Sequence, residues 1–69
     1  MRPEDIHLPE VLFEFRQIGK ALRITAIDPQ SGIEVVMVGN PKYGQEALKR
    51  LAARKLKYVI AKRWSEKPR

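Results

Sequence analysis

The 69-residue sequence contains no cysteine and a single histidine, His7. Without cysteine the chain can form neither disulfides nor cysteine-ligated zinc sites, and one imidazole supplies too few ligands for a zinc site. The only serines are Ser31 and Ser65, and each would depend for its activation on His7, which has no evident orienting group. We therefore expect no catalytic residue, no metal and no cofactor, and we predict that the protein is not an enzyme.

Long apolar runs are also missing. The longest, Val35–Val38, is far shorter than the roughly 20 residues that span a bilayer. The first nine residues hold two prolines and the charged residues Arg2, Glu4 and Asp5, so they do not resemble a signal segment. With 43% hydrophobic residues, the chain can nevertheless fold. We expect a cytoplasmic protein with no membrane partner and no small-molecule substrate.

Charge is unevenly distributed along the chain. The net charge is +6, with −2 carried by residues 1–34 and +8 by residues 35–69. Such asymmetry favours an acidic partner such as nucleic acid, although it also suits a helix that is simply solvated. A domain of this size has a thin stability margin, so oligomerisation would help it.

Residues 11–39 show the alternating pattern of a three-stranded antiparallel meander. Gly19-Lys20 predicts a type II′ hairpin turn, and Asp28-Pro29-Gln30-Ser31-Gly32 predicts a turn capped by its aspartate. This register pairs Phe15 with Ile24 and Ala26 with Val35. The resulting core face comprises Phe13, Phe15, Leu22, Ile24, Ala26, Ile33, Val35 and Met37.

One long helix follows the sheet. Asn40 and Pro41 predict a capped start, and Gly44 delays the regular helix to about Gln45. From there to about Trp64 good helix formers dominate. The predicted apolar stripe comprises Leu48, Leu51, Ala52, Leu56 and Val59. The predicted fold is thus α+β, a βββα domain over residues 10–64, with an extended lead-in at 1–9 and a frayed tail at 65–69.

A single helix can cover only one face of this sheet, and the other face carries an apolar patch. The candidate partner patch comprises Leu12, Ile27, Val36 and Val38. A patch of this kind indicates a protein partner or a homodimer, cover by residues 1–9, or plain exposure. We favour an interaction module or homodimer that uses this face.

The alternative is nucleic-acid binding by the basic side of the helix. The candidate anion contacts are Lys49, Arg50, Arg54 and Lys57. Like charges at this spacing repel one another, and phosphate contacts would relieve that repulsion. Lys55 differs from them because it falls within the apolar stripe. It could snorkel past the sheet edge or approach an acidic group there, and we expect the former.

Several short motifs resemble a family of small bacterial proteins of unknown function. They comprise Val11–Phe15, Ile18-Gly19, Thr25–Pro29, Gly32, Val38-Gly39 and the pattern from Leu51 to Val59. The resemblance covers about residues 10–62. It implies a stand-alone domain and supplies no catalytic residues.

Overall fold

The computed structural model describes residues 2–65 and has the predicted βββα order. Three antiparallel strands form an open sheet in the order β1-β2-β3, and one helix, α1, follows. The strands are β1 (Leu12–Ile18), β2 (Ala21–Ile27) and β3 (Glu34–Gly39), the helix α1 is Gln45–Ser65, and 3₁₀ turns occupy Pro3–Asp5 and Pro41–Tyr43.

The predicted register is confirmed at both strand pairs. Phe15 lies opposite Ile24 in β1–β2, and Ala26 lies opposite Val35 in β2–β3. The β1–β2 turn has a positive φ of 59° at Gly19 and none at Lys20, which fits the type II′ geometry. The hairpin therefore sets the register that brings the apolar side chains to one face.

The second turn is organised by the carboxylate of Asp28. One carboxylate oxygen accepts from the Gln30 backbone N–H at 3.2 Å, and the other accepts from the Ser31 hydroxyl at 2.7 Å. Gly32, at φ 76°, donates its N–H to the Asp28 carbonyl at 2.8 Å. The buried aspartate is thus satisfied locally, as its position in the sequence predicts.

The helix begins as the sequence indicates. The Asn40 side chain accepts from the Lys42 N–H at 3.0 Å, above the 3₁₀ turn that starts at Pro41. Gly44 then adopts a φ of 84° and α1 begins at Gln45. At the other end α1 includes Ser65, which the sequence predicts in the frayed tail. Residues 66–69 of that tail lie outside the described residues.

The apolar stripe of the helix is shifted from its predicted position. Leu51 is 48% exposed, whereas Ile60 is buried. On a helical wheel these residues fall on opposite sides of Ala52, by about 100° and 80°. Ile6 of the N-terminal segment is buried in the same cluster and lines one cavity with Ile60, so the core extends to the Ile60 side. Including Leu51 in the stripe was therefore wrong.

The N-terminal segment, which the sequence predicts as an extended lead-in, packs against α1. Its 3₁₀ turn contacts the helix, and Ile6 is only 7% exposed. Ala61 is 2% exposed, although it lies nine residues from Ala52 and hence on the opposite side of the helix. The sheet and this segment therefore both pack against α1.

Candidate interaction surfaces

The helix-free side of the sheet, called here the open face, carries the predicted partner patch. All four patch residues project on this side, and Leu12 lies directly opposite Ile27. Leu12 is 46% exposed and Val38 is 64% exposed, while Ile27 and Val36 are half-buried. Exposed Ile18 adds to the patch. The structure therefore places all four patch residues on one face of the sheet.

Charged side chains divide the open face along the strand direction. Glu14 and Glu34 lie toward one end, and Arg16 and Arg23 lie toward the other and face each other across β1–β2. All four line a cavity of about 280 Å³. Among residues 2–65 none of them forms an ion pair. Because like charges that face each other across strands repel, acidic groups of a partner would stabilise this arrangement.

Within the described part of the chain, nothing covers the open face. Cover by residues 1–9 was one alternative raised by the sequence. The structure contradicts it, because Pro3–Asp5 contacts α1, which packs on the other side of the sheet. The patch on the open face is consequently available to another molecule.

The two free edges of the sheet differ. The Asp28 N–H donates to the Ile33 carbonyl at 2.9 Å, so the backbone groups of Ile33 point toward β2. Because this direction alternates along a strand, the backbone groups of Glu34, Val36 and Val38 point away from β2. The Lys55 ammonium donates to the outward carbonyl of Val36 at 2.9 Å. The prediction that Lys55 extends past the sheet edge is confirmed, and a charged side chain at an edge strand disfavours pairing with another strand.

The edge of β1 has no such cap among the described residues. By the same alternation, the backbone groups of Phe13, Phe15 and Gln17 point outward. The helix lies over β2 and β3, so Phe13 and Phe15 remain only half-buried although their side chains project on the core face. Within one copy, β1 thus has outward backbone groups without a strand partner and two aromatic rings that are only half-buried.

The basic side of α1 brings together three of its four predicted anion contacts. Arg50, Arg54 and Lys57 line one open cavity of about 510 Å³, which they share with Pro3 and Glu4. None of the three is paired with a carboxylate within residues 2–65. Glu4 is paired with Arg2, and its carboxylate reduces the net positive charge at this cavity.

Lys49 is separated from that group. Its ammonium lies 5.7 Å from the centre of the Phe13 ring and 3.9 Å from a Glu46 carboxylate oxygen. These contacts direct Lys49 toward β1 and away from the three clustered cations. The sequence placed it beside them because a helical wheel does not show where the strands lie.

The remaining polar residues show no clustering typical of a metal centre. His7 is exposed and lines a cavity of about 470 Å³ together with Asp28 and Trp64. Between residues 2 and 65 no three histidine, cysteine, aspartate or glutamate side chains are grouped to hold a metal ion. Over the same residues, α1 is too polar to cross a membrane.

A protein-family model matches most of the chain. The model of DUF6898, described as a domain of unknown function, matches residues 8–63, which agrees with the resemblance seen over residues 10–62. No curated protein and no solved structure gives a match. The chain therefore belongs to the DUF6898 family, whose function is unknown.

Proposed function

We propose that this protein is a non-enzymatic, cytoplasmic interaction module that pairs with a second copy of itself through β1, an edge strand of its sheet. The observation that carries the proposal is the self-complementary pattern of β1. Leu12 and Ile18 lie at its ends, with Glu14 and Arg16 between them, all on the open face. A second copy related by a two-fold axis through the middle of the strand presents the same residues in reverse order.

In this arrangement each side chain meets a suitable counterpart. Glu14 faces Arg16 of the second copy, and Leu12 faces Ile18 of the second copy. Each contact occurs twice because the axis repeats it. An acidic neighbour for Arg16 also offsets its repulsion by Arg23, which lies opposite it within the same sheet. Association would in addition bury apolar area that a small domain needs for stability.

Charge reversal at β1 tests this pairing. In Glu14→Arg, the new arginine meets Arg16 of the second copy, and in Arg16→Glu two carboxylates meet. We expect each single variant to weaken the dimer about tenfold or more, because two contacts of about 1 kcal/mol are reversed. The double variant restores opposite charges and should recover most of the affinity in sedimentation equilibrium.

Two results would contradict the proposal. One is a wild-type protein that stays monomeric at several hundred micromolar. The other is a double variant that is no better than the worse single variant, because self-complementary pairing requires rescue. Lys20→Glu provides a control for net charge, since exposed Lys20 lies in the hairpin turn outside the proposed contact.

Nucleic-acid binding is a second candidate function. It is supported by the cavity that Arg50, Arg54 and Lys57 share. Contacts of this kind bind phosphates without specificity for base sequence, and the affinity falls steeply as the salt concentration rises. Fluorescence anisotropy with duplex DNA and with RNA at low salt tests it. Binding that is absent, or is unchanged in Arg50→Gln/Arg54→Gln, would exclude this surface.

A further inference from the structure

We propose that the two copies join edge to edge through β1, so that their sheets form one continuous six-stranded sheet. This inference rests on the proposed homodimer and specifies its geometry. The complementary pattern of β1 is compatible with two arrangements: stacking of the open faces, and antiparallel pairing of the two β1 edges. Three features of the fold favour edge pairing.

The first feature is the difference between the two edges. The Lys55 ammonium occupies the outward carbonyl of Val36, so the β3 edge is protected against pairing. The β1 edge has outward backbone groups at Phe13, Phe15 and Gln17, with no capping side chain in the described part of the chain. An incoming strand can therefore form regular ladder hydrogen bonds at β1 and not at β3.

The second feature is the symmetry of the strand. β1 runs from Leu12 to Ile18, so its midpoint is Phe15, one of the residues with outward backbone groups. A two-fold axis at Phe15 pairs it with Phe15 of the second copy and pairs Phe13 with Gln17 of the second copy. Outward residues thus meet outward residues, as an antiparallel ladder requires. The same register places Glu14 opposite Arg16 of the second copy.

The third feature is the off-centre position of α1. It lies over β2 and β3, and the rings of Phe13 and Phe15 are therefore left half-buried. The axis of edge pairing is perpendicular to the sheet, so both helices lie on the same side and flank the four phenylalanine rings. Phe15 then packs against its own counterpart, a favourable cross-strand aromatic pair. Stacking of the open faces would leave these rings half-buried, because they project on the core face.

A distance measurement separates the two arrangements. The sequence has no cysteine, so Val38→Cys introduces a unique site for a spin label on exposed β3. Edge pairing separates the two labelled backbones by five strand spacings, about 24 Å. Stacked faces bring them to about 12 Å, since packed sheets lie about 10 Å apart. We expect pulsed dipolar spectroscopy to give the longer distance, extended by the reach of the labels.

Proline variants provide a second readout with a matched control. Gln17→Pro removes an outward N–H from β1, a position where an edge strand tolerates proline, and should weaken the dimer at least about tenfold. Val38→Pro makes the equivalent change on the β3 edge and should leave the dimer intact. Circular dichroism and urea unfolding would establish that both variants keep the fold.

The outcomes distinguish this inference from the proposed function. A dimer that gives the short distance overturns edge pairing but leaves the proposed homodimer intact. The same holds for a dimer that is lost with the label or the proline at position 38 and kept in Gln17→Pro. A monomeric wild-type protein overturns both. The long distance together with selective loss of the dimer in Gln17→Pro supports edge pairing.

Discussion

The Lys55 ammonium donates a hydrogen bond of 2.9 Å to the backbone carbonyl of Val36, so a helix residue caps the free edge of the sheet. Lys55 is exposed, so its charge lies at the sheet edge where water can also reach it. Lys55 thus stands at an apolar position of the helix and still avoids a buried charge.

Replacing this lysine should change association more than folding. Lys55→Met keeps an apolar stem but exposes the edge of β3, so we expect species larger than the wild-type assembly in sedimentation velocity at high concentration. The free energy of unfolding should fall by less than about 1 kcal/mol, because the bond is exposed to solvent. Lys62→Met removes the same charge from an exposed helix position and is the control. Identical size distributions for the two variants would contradict the capping role.

The position of the helix core can be tested by comparing two aliphatic residues. Ile60 is buried, so Ile60→Ala should lower the free energy of unfolding by about 2 to 4 kcal/mol. Leu51 is 48% exposed, so Leu51→Ala should cost less than about 1 kcal/mol. Urea unfolding measures both. Equal losses would mean that Leu51 is as deeply packed as the periodicity of the sequence predicts.

The packing of the N-terminal segment against the helix can be tested at Ala61. Ala61→Leu adds volume to a buried contact and should lower the free energy of unfolding by about 1 to 3 kcal/mol. Amide exchange of Ile6, whose N–H donates to the Pro3 carbonyl at 3.1 Å, should accelerate at the same time. Lys62→Leu introduces the same side chain at the exposed neighbouring position. It should change neither the free energy of unfolding nor the amide exchange of Ile6. Unchanged exchange in Ala61→Leu would contradict this contact.

Local chemistry explains why so much of the sheet is predictable. The glycine of a two-residue turn and the aspartate of the next turn act over a few residues, and each fixes a register by itself. Phe15 and Ile24 meet because Gly19-Lys20 forces them to meet. The partner patch follows from the same alternation, which is why all four of its residues lie on the open face.

The contacts of the helix are less predictable, because they depend on segments that are distant in sequence. A helical wheel groups Lys49 with Arg50, yet the ring of Phe13 draws Lys49 toward β1. The wheel also places Ala61 opposite the predicted stripe, yet Ala61 is buried in the same cluster as Ile6, which comes from the other end of the chain.

The sequence by itself determined the order of elements, the strand register, both turns and the charge imbalance, since each depends on near neighbours or on composition. Only the tertiary structure decided which side of α1 faces the core, where the N-terminal segment lies, and which sheet edge Lys55 caps. These features are set by packing between residues far apart in the chain, where burial of apolar area outweighs local preference.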